Sequence, residues 1–432
     1  MNSTVYAEDV KLTPYWWEAA PRPVLAPAVL PAKVDVAVVG SGYAGLSAAL
    51  TLARGGRSTL VFEAGLVGEG ASTRNGGVVG TGLKAPFGDL IARLGLDRAK
   101  ALYAGARAAA DFLEDFLRRE GIDCHYQRGG RFLGAHRPAD YDRMARDLEL
   151  QAQHLGTEFE MVAKADQHRV VGSDHYHGGA LDCGAAATHP ALQHQGLLER
   201  ALEAGVVIAE NTPVTGIARG KAGHTVAAGA ARMEARDVVI ATNGHTGALN
   251  PWLRRRIIPI QSQMIATEPL APGLLDRLLP GKHSLGDTCR LHHYYRRSPD
   301  RRRVLFGGRA GANQADPRRS GRHLYRRLAA LFPELADVRI SHVWTGVTGY
   351  TFDTMPHMGV HDGIHYAAGF VGSGAAMALY LGHKTGLRVL GAPEADNVFD
   401  TLNHPTRPLY YGKPWFLPIA IAYFGWRDSL RL

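Results

Sequence analysis

The stretch VDVAVVGSGYAG, from Val34 to Gly45, joins a run of β-branched residues directly to three spaced glycines. The run from Val34 to Val39 alternates little, which is typical of a parallel strand buried on both faces. Apolar residues at helical spacing follow up to Arg54, and the Gly55-Gly56 pair ends that helix. A second strand is predicted from Ser58 to Glu63. Strand, helix and strand together predict one βαβ unit.

The three glycines have the spacing of a dinucleotide-binding turn. Gly40 makes the tight turn, Gly42 lets the backbone approach a pyrophosphate, and Gly45 lets the helix pack on the strand. The N-terminus of the helix then offers its N–H groups and its dipole to the phosphates. Glu63 ends the second strand, where a carboxylate can accept both ribose hydroxyls of an adenosine. The same carboxylate argues against a 2′-phosphate, and hence against NADP.

Two further glycine-rich segments can lay backbone N–H groups along the same ligand. The loop GASTRNGG spans residues 70–77, and the turn AGFVGSG spans residues 368–374. The turn runs into a helix predicted from Gly374 to Leu390, whose N-terminus presents a positive dipole. Each segment alone is typical of a flexible loop or a helix cap. Together with the first turn, they favour an extended dinucleotide site.

In this combination the sequence resembles the glycine oxidase and D-amino-acid oxidase superfamily, and within it the γ-glutamylputrescine oxidase-like branch. The front of the chain, residues 34–80, carries the GxGxxG turn, the acidic residue and the S-x-R-N-G-G loop of that family. Further matches follow in chain order: ATNG at 241–244, IPIQSQMIATEP at 258–269, WTG at 344–346 with DTMPHMG at 353–359, and AGFVGSG at 368–374. These motifs are specific for the superfamily and not for a substrate.

The resemblance implies FAD as the cofactor, bound extended and non-covalently. Covalent attachment in sarcosine oxidase-like relatives uses a Cys near the late glycine turn, and no Cys follows Cys289 here. A His-linked flavin stays open as an alternative. The residues predicted to bind FAD are Gly40, Gly42, Tyr43, Ala44, Gly45, Glu63, Ala64, Ser72, Arg74, Asn75, Gly76, Gly77, Val214, Thr242, Asn243, Gly244, Gly369, Gly372, Ser373 and Gly374.

The substrate side is predicted from the segment RLHHYYR, residues 290–296, which reads as a strand of period 2. Such a strand places Arg290, His292, Tyr294 and Arg296 on one face, a composition that suits a carboxylate. In glycine oxidase-like members an Arg on the corresponding strand holds the substrate carboxylate. The resemblance therefore assigns that role to Arg296, with Tyr294 and His292 as the other catalytic candidates. The alternative is an Arg on a solvated sheet edge.

One position departs from the family pattern. Glycine oxidases carry a further Arg in a W-x-G-L-R-P stretch, where this chain has Thr348. This difference argues against a plain α-amino-acid pocket of the glycine oxidase type. His357 and His361, in the following loop, are weaker candidates for positive charge near the substrate.

The predicted fold class is α/β: a two-domain FAD-dependent oxidoreductase whose Rossmann-like FAD domain interleaves with a mixed-sheet substrate domain. Sequence patterns typical of a nucleotide-binding domain recur in residues 30–120, 186–255 and 341–392. These three ranges predict one discontinuous FAD-binding domain. The strand-rich residues 121–185 and 256–340 predict the substrate domain. Residues 393–432 form a C-terminal tail.

The resemblance implies oxidation of the C–N bond of a small carboxylated amine or amino acid, primary or secondary. Hydride passes to the flavin, and the imine is hydrolysed to a carbonyl compound and an amine. Oxygen is the favoured acceptor, and a dehydrogenase that passes electrons to a membrane quinone or carrier is the alternative. Relatives that react well with O₂ often hold a Lys near the flavin, for which Lys84 and Lys282 are the candidates.

Charge and cysteine content limit the other classes. The net charge of +9 favours an anionic substrate, but no nucleic-acid motif accompanies the Arg-rich segment 296–327. No nucleic-acid partner is therefore expected, and a non-catalytic FAD-binding or RNA-binding protein is the weaker alternative. The three widely spaced cysteines, Cys124, Cys183 and Cys289, include no CxxC pair. They predict neither a disulfide framework nor a metal site.

The chain has no apolar run long enough to span a membrane and no signal-peptide pattern at its start, so a cytoplasmic enzyme is expected. The tail segment from Pro414 to Trp426 is apolar and aromatic-rich, and Lys413 and Arg427 flank it. Two interpretations stay open. The segment packs on the protein's own core, or it contacts the inner face of a membrane as an interfacial element.

Overall fold

A computed structural model of the chain describes residues 5–157, 159–309 and 316–429. The strands, in chain order, are β1 (Tyr6–Lys11), β2 (Lys33–Val39), β3 (Thr59–Phe62), β4 (Val78–Val79), β5 (Arg131–Gly134), β6 (Phe159–Val162), β7 (Gly179–Asp182), β8 (Ala186–Ala187), β9 (Val207–Ala209), β10 (Val214–Arg219), β11 (His224–Ala228), β12 (Ala231–Ile240), β13 (Ile258–Thr267), β14 (Ser284–Asp287), β15 (Tyr294–Arg297), β16 (Val304–Gly308), β17 (Ile340–Tyr350), β18 (His357–His361) and β19 (Ile364–Ala368). The α-helices are α1 (Tyr43–Arg54), α2 (Phe87–Leu94), α3 (Leu96–Glu120), α4 (Pro138–Leu155), α5 (Pro190–Glu203), α6 (Pro251–Arg254), α7 (Pro272–Leu278), α8 (Pro317–Leu331), α9 (Gly374–Leu390) and α10 (Leu417–Ser429).

The first large sheet contains the predicted βαβ unit. Its strand order is β10-β11-β12-β2-β3-β9, and β19 pairs with the second half of β12 and with β18. The strands β9, β3, β2, β12 and β19 run parallel to their neighbours in this set. The four residues of β3 are all buried, as the unalternating apolar sequence predicts.

Helices α1 and α9 pack closely beside this sheet. A Cβ atom on Gly382 would lie 2.3 Å from the carbonyl oxygen of Ala44, so only glycine permits this contact. The hydroxyl of Ser47 donates to the carbonyl oxygen of Leu379 at 2.7 Å. The late helix is therefore fixed against the first helix, and both begin at the same edge of the sheet.

The second large sheet is mixed and has the order β1-β17-β13-β16-β15-β14-β5-β7-β6. Most of its pairs are antiparallel, whereas β14 pairs with β5, and β1 with β17, in parallel. One face packs a core that includes Phe132, Ile265, Phe306 and Val343. The two sheets together confirm the predicted fold class.

Two local predictions need correction. The apolar pattern from Asp89 to Glu120 predicts one continuous helix, but the helix is interrupted at Gly95, whose φ of +84° ends α2 and begins α3. The strand predicted over 290–296 begins only at Tyr294. The Asp287 carboxylate accepts the backbone N–H groups of Cys289 and His293, which closes the preceding residues into a turn.

The predicted domain boundaries correspond to the sheets only in part. Strand β17 belongs to the nine-stranded sheet, although the range 341–392 would place most of it in the FAD-binding domain. Strand β1 joins the same sheet from outside the ranges given for either domain. The boundaries themselves stay a prediction.

Residues Leu417 to Trp426 of the tail segment lie in α10. Among the helices described, none combines the length and the apolar character that crossing a bilayer requires.

Candidate active site

Residues of both large sheets line one cavity of about 1990 Å³. Pockets for a single small molecule hold roughly 300–1,000 Å³. The cavity therefore has room for an extended dinucleotide and a second molecule beside it. It begins at the carboxyl ends of β2 and β3, where α/β sheets bind nucleotides.

The turn between β2 and α1 fits a pyrophosphate. A Cβ atom on Gly45 would lie 1.8 Å from the carbonyl oxygen of Gly40, so the turn closes only because that side chain is absent. Gly42 caps α1 without a side-chain hydrogen bond, and Gly40, Gly42, Tyr43 and Ala44 line the cavity. A phosphate can therefore approach the first turn of the helix. This glycine cradle is the observation that fits the predicted cofactor.

Glu63 lies at the end of β3 and lines the same part of the cavity. Its Oε2 atom accepts from the backbone N–H of Ser41 at 3.0 Å and from the Ser41 hydroxyl at 2.6 Å. The backbone N–H of Gly65 donates to Oε1 at 3.2 Å. These bonds hold the carboxylate across the glycine turn, in the position predicted for ribose recognition.

Three indole groups hold the loop of residues 70–77. The Nε1 atom of Trp16 donates to the carbonyl oxygen of Asn75 at 2.8 Å, and that of Trp344 donates to the carbonyl oxygen of Arg74 at 2.9 Å. The Nε1 atom of Trp17 donates to the Thr73 hydroxyl at 3.0 Å. Sequence reasoning missed the two N-terminal tryptophans. The signal was a Tyr-Trp-Trp run in an otherwise polar segment, which predicts burial but not its partner.

The late turn carries backbone strain at the cavity wall. Val371 has a φ of +51°, which is costly for a β-branched residue, between Gly369 at +74° and Gly372 at +91°. Its backbone N–H donates to the carbonyl oxygen of Gly349 at 3.1 Å. The Asn243 side-chain oxygen accepts from the N–H of Gly369 at 2.9 Å. These bonds stabilise a turn that brings backbone to the cavity just before α9 begins.

The cavity brings together sixteen of the twenty residues predicted to bind the cofactor. The four that do not line it are Gly45, Gly77, Gly244 and Gly369. Each of these four glycines permits a close contact with a neighbouring backbone or side-chain atom that a Cβ atom would obstruct. A Cβ atom on Gly244, for example, would lie 2.9 Å from a methyl carbon of Val347. Residues that the sequence did not single out also line the wall, among them Tyr350 and Val371.

Four cationic side chains lie together in the part of the cavity formed by the nine-stranded sheet. They are Lys84, Arg131, Arg290 and Arg309. Lys84 projects into the open cavity yet is surrounded by protein. This burial lowers the pKa of Lys84 to about 8; Arg309, Arg131 and Arg290 lower it further, and Asp287 opposes them. Burial is the larger cause of this shift, and the three neighbouring arginines add to it.

His292 is held between two of its neighbours. Its Nδ1 atom lies 2.6 Å from the carbonyl oxygen of Asp287, and its Nε2 atom lies 3.2 Å from Nη2 of Arg131. Because a guanidinium only donates, Nε2 accepts and the proton is on Nδ1. Burial lowers the pKa of His292 to about 4, so the ring is neutral near pH 7. Of the predicted catalytic residues, His292 and Tyr294 both line the cavity.

Tyr294 connects the substrate sheet to the loop of residues 70–77. Its hydroxyl lies 2.9 Å from the hydroxyl of Ser262. A Cβ atom on Gly76 would lie 2.8 Å from the Tyr294 ring, so that glycine lets the ring approach the loop. Nearby, Arg309 donates to the hydroxyl of Tyr350 and lies over its ring.

Arg296 does not line the cavity. Its Nη1 atom donates to the carbonyl oxygens of Thr188 at 2.9 Å and Gly77 at 3.2 Å. Arg297 points to the opposite face, as the alternation predicts, and its guanidinium donates to the Leu279 carbonyl and the Asp276 carboxylate. The assignment of Arg296 as the carboxylate anchor stays a prediction, and these contacts favour a role behind the wall. His357 and His361 also lie outside the cavity lining.

Asp287, Cys289 and His293 place three atoms of metal-ligand type within 4.8 Å of one another. The Asp287 carboxylate already accepts from two backbone N–H groups and from Nδ1 of His293 at 2.7 Å. Burial raises the pKa of the Cys289 thiol and so disfavours the thiolate that metals prefer. The geometry is that of a hydrogen-bonded turn, and we assign no metal to it.

Comparisons with known proteins show which family the chain belongs to. Residues 35–386 match the family model described as FAD dependent oxidoreductase. Gamma-glutamylputrescine oxidoreductase of Escherichia coli (strain K12) is 31% identical over 409 residues, 92% of this chain and 93% of the relative. Probable oxidoreductase OrdL of Rhizobium meliloti (strain 1021) is 30% identical over 422 residues, 96% of this chain and 97% of the relative.

A solved structure shows the same fold. The crystal structure of glycine oxidase from Geobacillus kaustophilus superposes with a TM-score of 0.68 at 22% identity and covers 88% of this chain and 99% of that one. At this identity the likeness establishes the fold alone. The chain belongs to the family of FAD dependent oxidoreductases, and its cofactor is FAD.

Proposed function

We propose that the enzyme oxidises the C–N bond of a small carboxylated amine or amino acid, primary or secondary. Bound FAD supplies the hydride acceptor, and the imine that leaves is hydrolysed to a carbonyl compound and an amine. The names of the relatives, gamma-glutamylputrescine oxidoreductase and glycine oxidase, support an amine or amino acid as the substrate class. The observation that supports a carboxylate on the substrate is the cationic group in the cavity, formed by Lys84, Arg131, Arg290 and Arg309.

Arg131 is the strongest candidate for the carboxylate contact. Its guanidinium lines the cavity, and its Nη2 atom contacts His292. Its Nε atom is buried without a hydrogen-bond partner among the described residues, so the terminal nitrogens Nη1 and Nη2 are the donors that face a ligand. A guanidinium with donors left over can bind a carboxylate bidentately. Such a charge-assisted contact contributes about 1.5–3 kcal/mol.

Arg309 replaces the positive charge that the glycine oxidase pattern places at Thr348. Thr348 and Tyr350 are two residues apart on β17, and both line the cavity. Arg309 reaches the Tyr350 hydroxyl from the end of β16. A cation thus stands near the expected place but comes from another strand. This arrangement favours a carboxylate held at a different angle or distance from that in a glycine pocket.

The same residues favour the reactive form of the amine. The amine must react as the neutral base, and nearby cations lower the pKa of a bound ammonium group. Neutral His292 adds no charge of its own, and its Nε2 lone pair is directed to Arg131. The chain therefore binds the carboxylate, disfavours protonation of the amine and keeps both groups in one orientation.

We propose O₂ as the electron acceptor, with a quinone or another carrier as the second candidate. Lys84 lies inside the cavity, whereas Lys282 does not line it. The resemblance links a Lys in this region to reactivity with O₂, and Lys84 supplies it. The second candidate draws support from the apolar outer face of α10, which is described below.

An anaerobic reduction screen tests the proposal. Glycine, sarcosine, iminodiacetate, a cyclic imino acid and a γ-glutamyl polyamine should be mixed with the oxidised holoenzyme, each beside its amide analogue without the free carboxylate. We expect at least one carboxylated amine to bleach the flavin and its amide to do so far more slowly. Equal rates of flavin bleaching by the acid and by its amide would contradict the proposal that the enzyme recognises a carboxylate. If no amine bleaches the flavin, the non-catalytic alternative gains, and salt-dependent RNA binding would then identify it.

Air reoxidation separates the two acceptors. After reduction by substrate, rapid mixing with air-saturated buffer should restore the oxidised spectrum within the turnover time of an oxidase. Slow reoxidation in air together with fast reoxidation by a soluble quinone analogue would establish the dehydrogenase instead.

A further inference from the structure

Helix α10 and the residues just before it turn several large apolar side chains outward. Trp415, just before the helix, and Ile419, Tyr423 and Trp426 within it are 58%, 70%, 49% and 59% exposed. Within the helix, the spacing of four and three residues puts Ile419, Tyr423 and Trp426 on one face, and Trp415 lies two residues before the helix begins. An ordinary surface helix turns its charged face to solvent and its apolar face to the core. Leu409 and Tyr411, exposed to 72% and 60%, extend this surface, which we call the aromatic face.

The aromatic face is outward although the helix is well anchored. The buried carboxylate of Asp428 accepts from the backbone N–H groups of Arg290 at 3.0 Å and Leu291 at 2.9 Å. The carbonyl oxygen of Asp428 lies 2.9 Å from Nε2 of His136. Arg137 donates to the carbonyl oxygen of Arg427 at 2.7 Å. These contacts fix which side of the helix faces the protein, and Phe424 on that side lines the cavity.

The charged residues of the segment that carries the aromatic face have one sign. From Leu402 to Arg427 the sequence contains no Asp or Glu, whereas Arg407, Lys413 and Arg427 are all exposed. Outside this segment, Arg255 lies over the ring of Tyr411, 4.7 Å from its centroid. Trp and Tyr side chains with flanking Lys and Arg are the composition of helices that lie in the headgroup region of anionic membranes.

A second copy of the chain fits this surface less well. In a two-fold dimer the same patch meets itself, so Lys413 and Arg427 would approach the cations of the other copy without an acidic group in the segment to pair with. A helix of 13 residues is also too short to cross the bilayer, so it must lie along the surface.

We propose that the aromatic face docks α10 on an anionic lipid surface. The occupant is the headgroup region of the bilayer, bound by insertion of Trp415, Ile419 and Trp426 between headgroups and by attraction of the three cations to lipid phosphates. Docking in this way places the Phe424 wall of the cavity next to the membrane. The proposal goes beyond the proposed function and does not depend on the identity of the amine.

Vesicle flotation of the holoenzyme tests it. The protein should float with vesicles that contain phosphatidylglycerol, and its binding to vesicles of phosphatidylcholine alone should be weaker by about tenfold or more because each basic residue near an anionic surface adds to the attraction. The triple variant W415S/I419S/W426S should lose binding by about tenfold or more, since it removes the inserted apolar groups. The variant K413E/R427E should lose only the preference for anionic vesicles.

Matched controls keep the test specific. The variant V24S/V29S/V360S removes exposed apolar side chains elsewhere, which are 98%, 88% and 50% exposed, and should float like the wild type. The flavin absorbance of every variant reports folding independently of lipid. The proposal is overturned if flavin-replete wild type does not float with anionic vesicles, or if the triple variant floats as well as the wild type. It is also overturned if sedimentation shows a dimer that the triple variant abolishes, because the occupant is then a second copy.

Discussion

Nη2 of Arg131 lies 3.2 Å from Nε2 of His292 in the wall of the cavity. The second ring nitrogen of His292 donates to a backbone carbonyl, so the neutral imidazole has one orientation and its lone pair faces the guanidinium. This contact orients Arg131 without neutralising it. A carboxylate that enters the cavity therefore meets a full positive charge with donors still available.

Replacing Arg131 should weaken turnover of carboxylated substrates selectively. Arg131→Ala is expected to lower kcat/KM for a carboxylated amine by roughly tenfold to several hundredfold, as loss of a charge-assisted contact in a desolvated site requires. Arg131→Lys should recover little, because a point charge does not reproduce the guanidinium fork. Steady-state kinetics on acid and amide substrates, with flavin content measured alongside, check this.

The control for Arg131 is Arg302→Ala, whose side chain is exposed and does not line the cavity. It should leave both substrates unaffected. Equal losses on the acid and the amide substrates in Arg131→Ala would show that Arg131 supports the fold of the pocket and does not recognise the anion.

Lys84 should make anion binding depend on pH. Its pKa is lowered from 10.5 to about 8, so the charge is present below pH 8 and is lost as the pH rises through that value. Affinity for succinate, which cannot be oxidised here and whose own carboxylates stay ionised, should therefore fall as the pH rises through about 8. Lys84→Met should bind succinate more weakly at pH 7 and should lack this step. Titration of the flavin absorbance with succinate at several pH values measures both effects.

Lys282→Met is the matched change outside the cavity lining, and it should keep the wild-type profile. If the affinity of Lys84→Met for succinate falls with rising pH in the same way as that of the wild type, another group titrates and Lys84 does not bind the anion.

The dinucleotide end could be predicted from the sequence because its determinants are local. Gly40, Gly42 and Gly45 act within one turn, and Glu63 reaches that turn from the next parallel strand of a unit whose geometry is nearly constant. Their positions relative to one another in three dimensions therefore follow directly from their spacing along the chain.

The cationic group could not be predicted, because its members meet only through tertiary structure. Lys84 lies in a loop, Arg131 begins β5 and Arg309 follows β16, and no sequence period links them. Arg296 shows the complementary limit. Strand alternation correctly separated Arg296 from Arg297, but alternation does not tell whether a face meets the cavity or the loop behind it. That depends on residues 70–77 and 188, which are distant in sequence.

Removing the Glu63 carboxylate should weaken FAD binding. Glu63→Gln loses the charged acceptor of the Ser41 N–H and hydroxyl, and it loses the charge offered to the ribose hydroxyls. Hydrogen bonds to a charged group contribute about 1.5–3 kcal/mol each, which corresponds to a rise in the dissociation constant of FAD by roughly tenfold to a hundredfold. Fluorescence titration of the apoprotein with FAD measures this. The exposed Glu8→Gln should bind FAD normally, and an unchanged constant in Glu63→Gln would argue against ribose recognition by this residue.

Arg296 should be needed more for the loop of residues 70–77 than for the substrate. Burial lowers its pKa to about 10, so it is charged at neutral pH, and its Nη1 atom bonds the carbonyl oxygens of Gly77 and Thr188. Arg296→Ala leaves both carbonyls without this donor, at a cost of about 1–3 kcal/mol in stability. We expect a lower Tm and weaker FAD binding, with kcat/KM of the FAD-saturated variant little changed.

If the residue holds the substrate carboxylate instead, flavin content should stay constant and kcat/KM should fall roughly tenfold to several hundredfold. Arg297→Ala is not a neutral comparison because its guanidinium is itself buried against Leu279, so the exposed Arg302→Ala serves as the reference for Tm, FAD affinity and turnover.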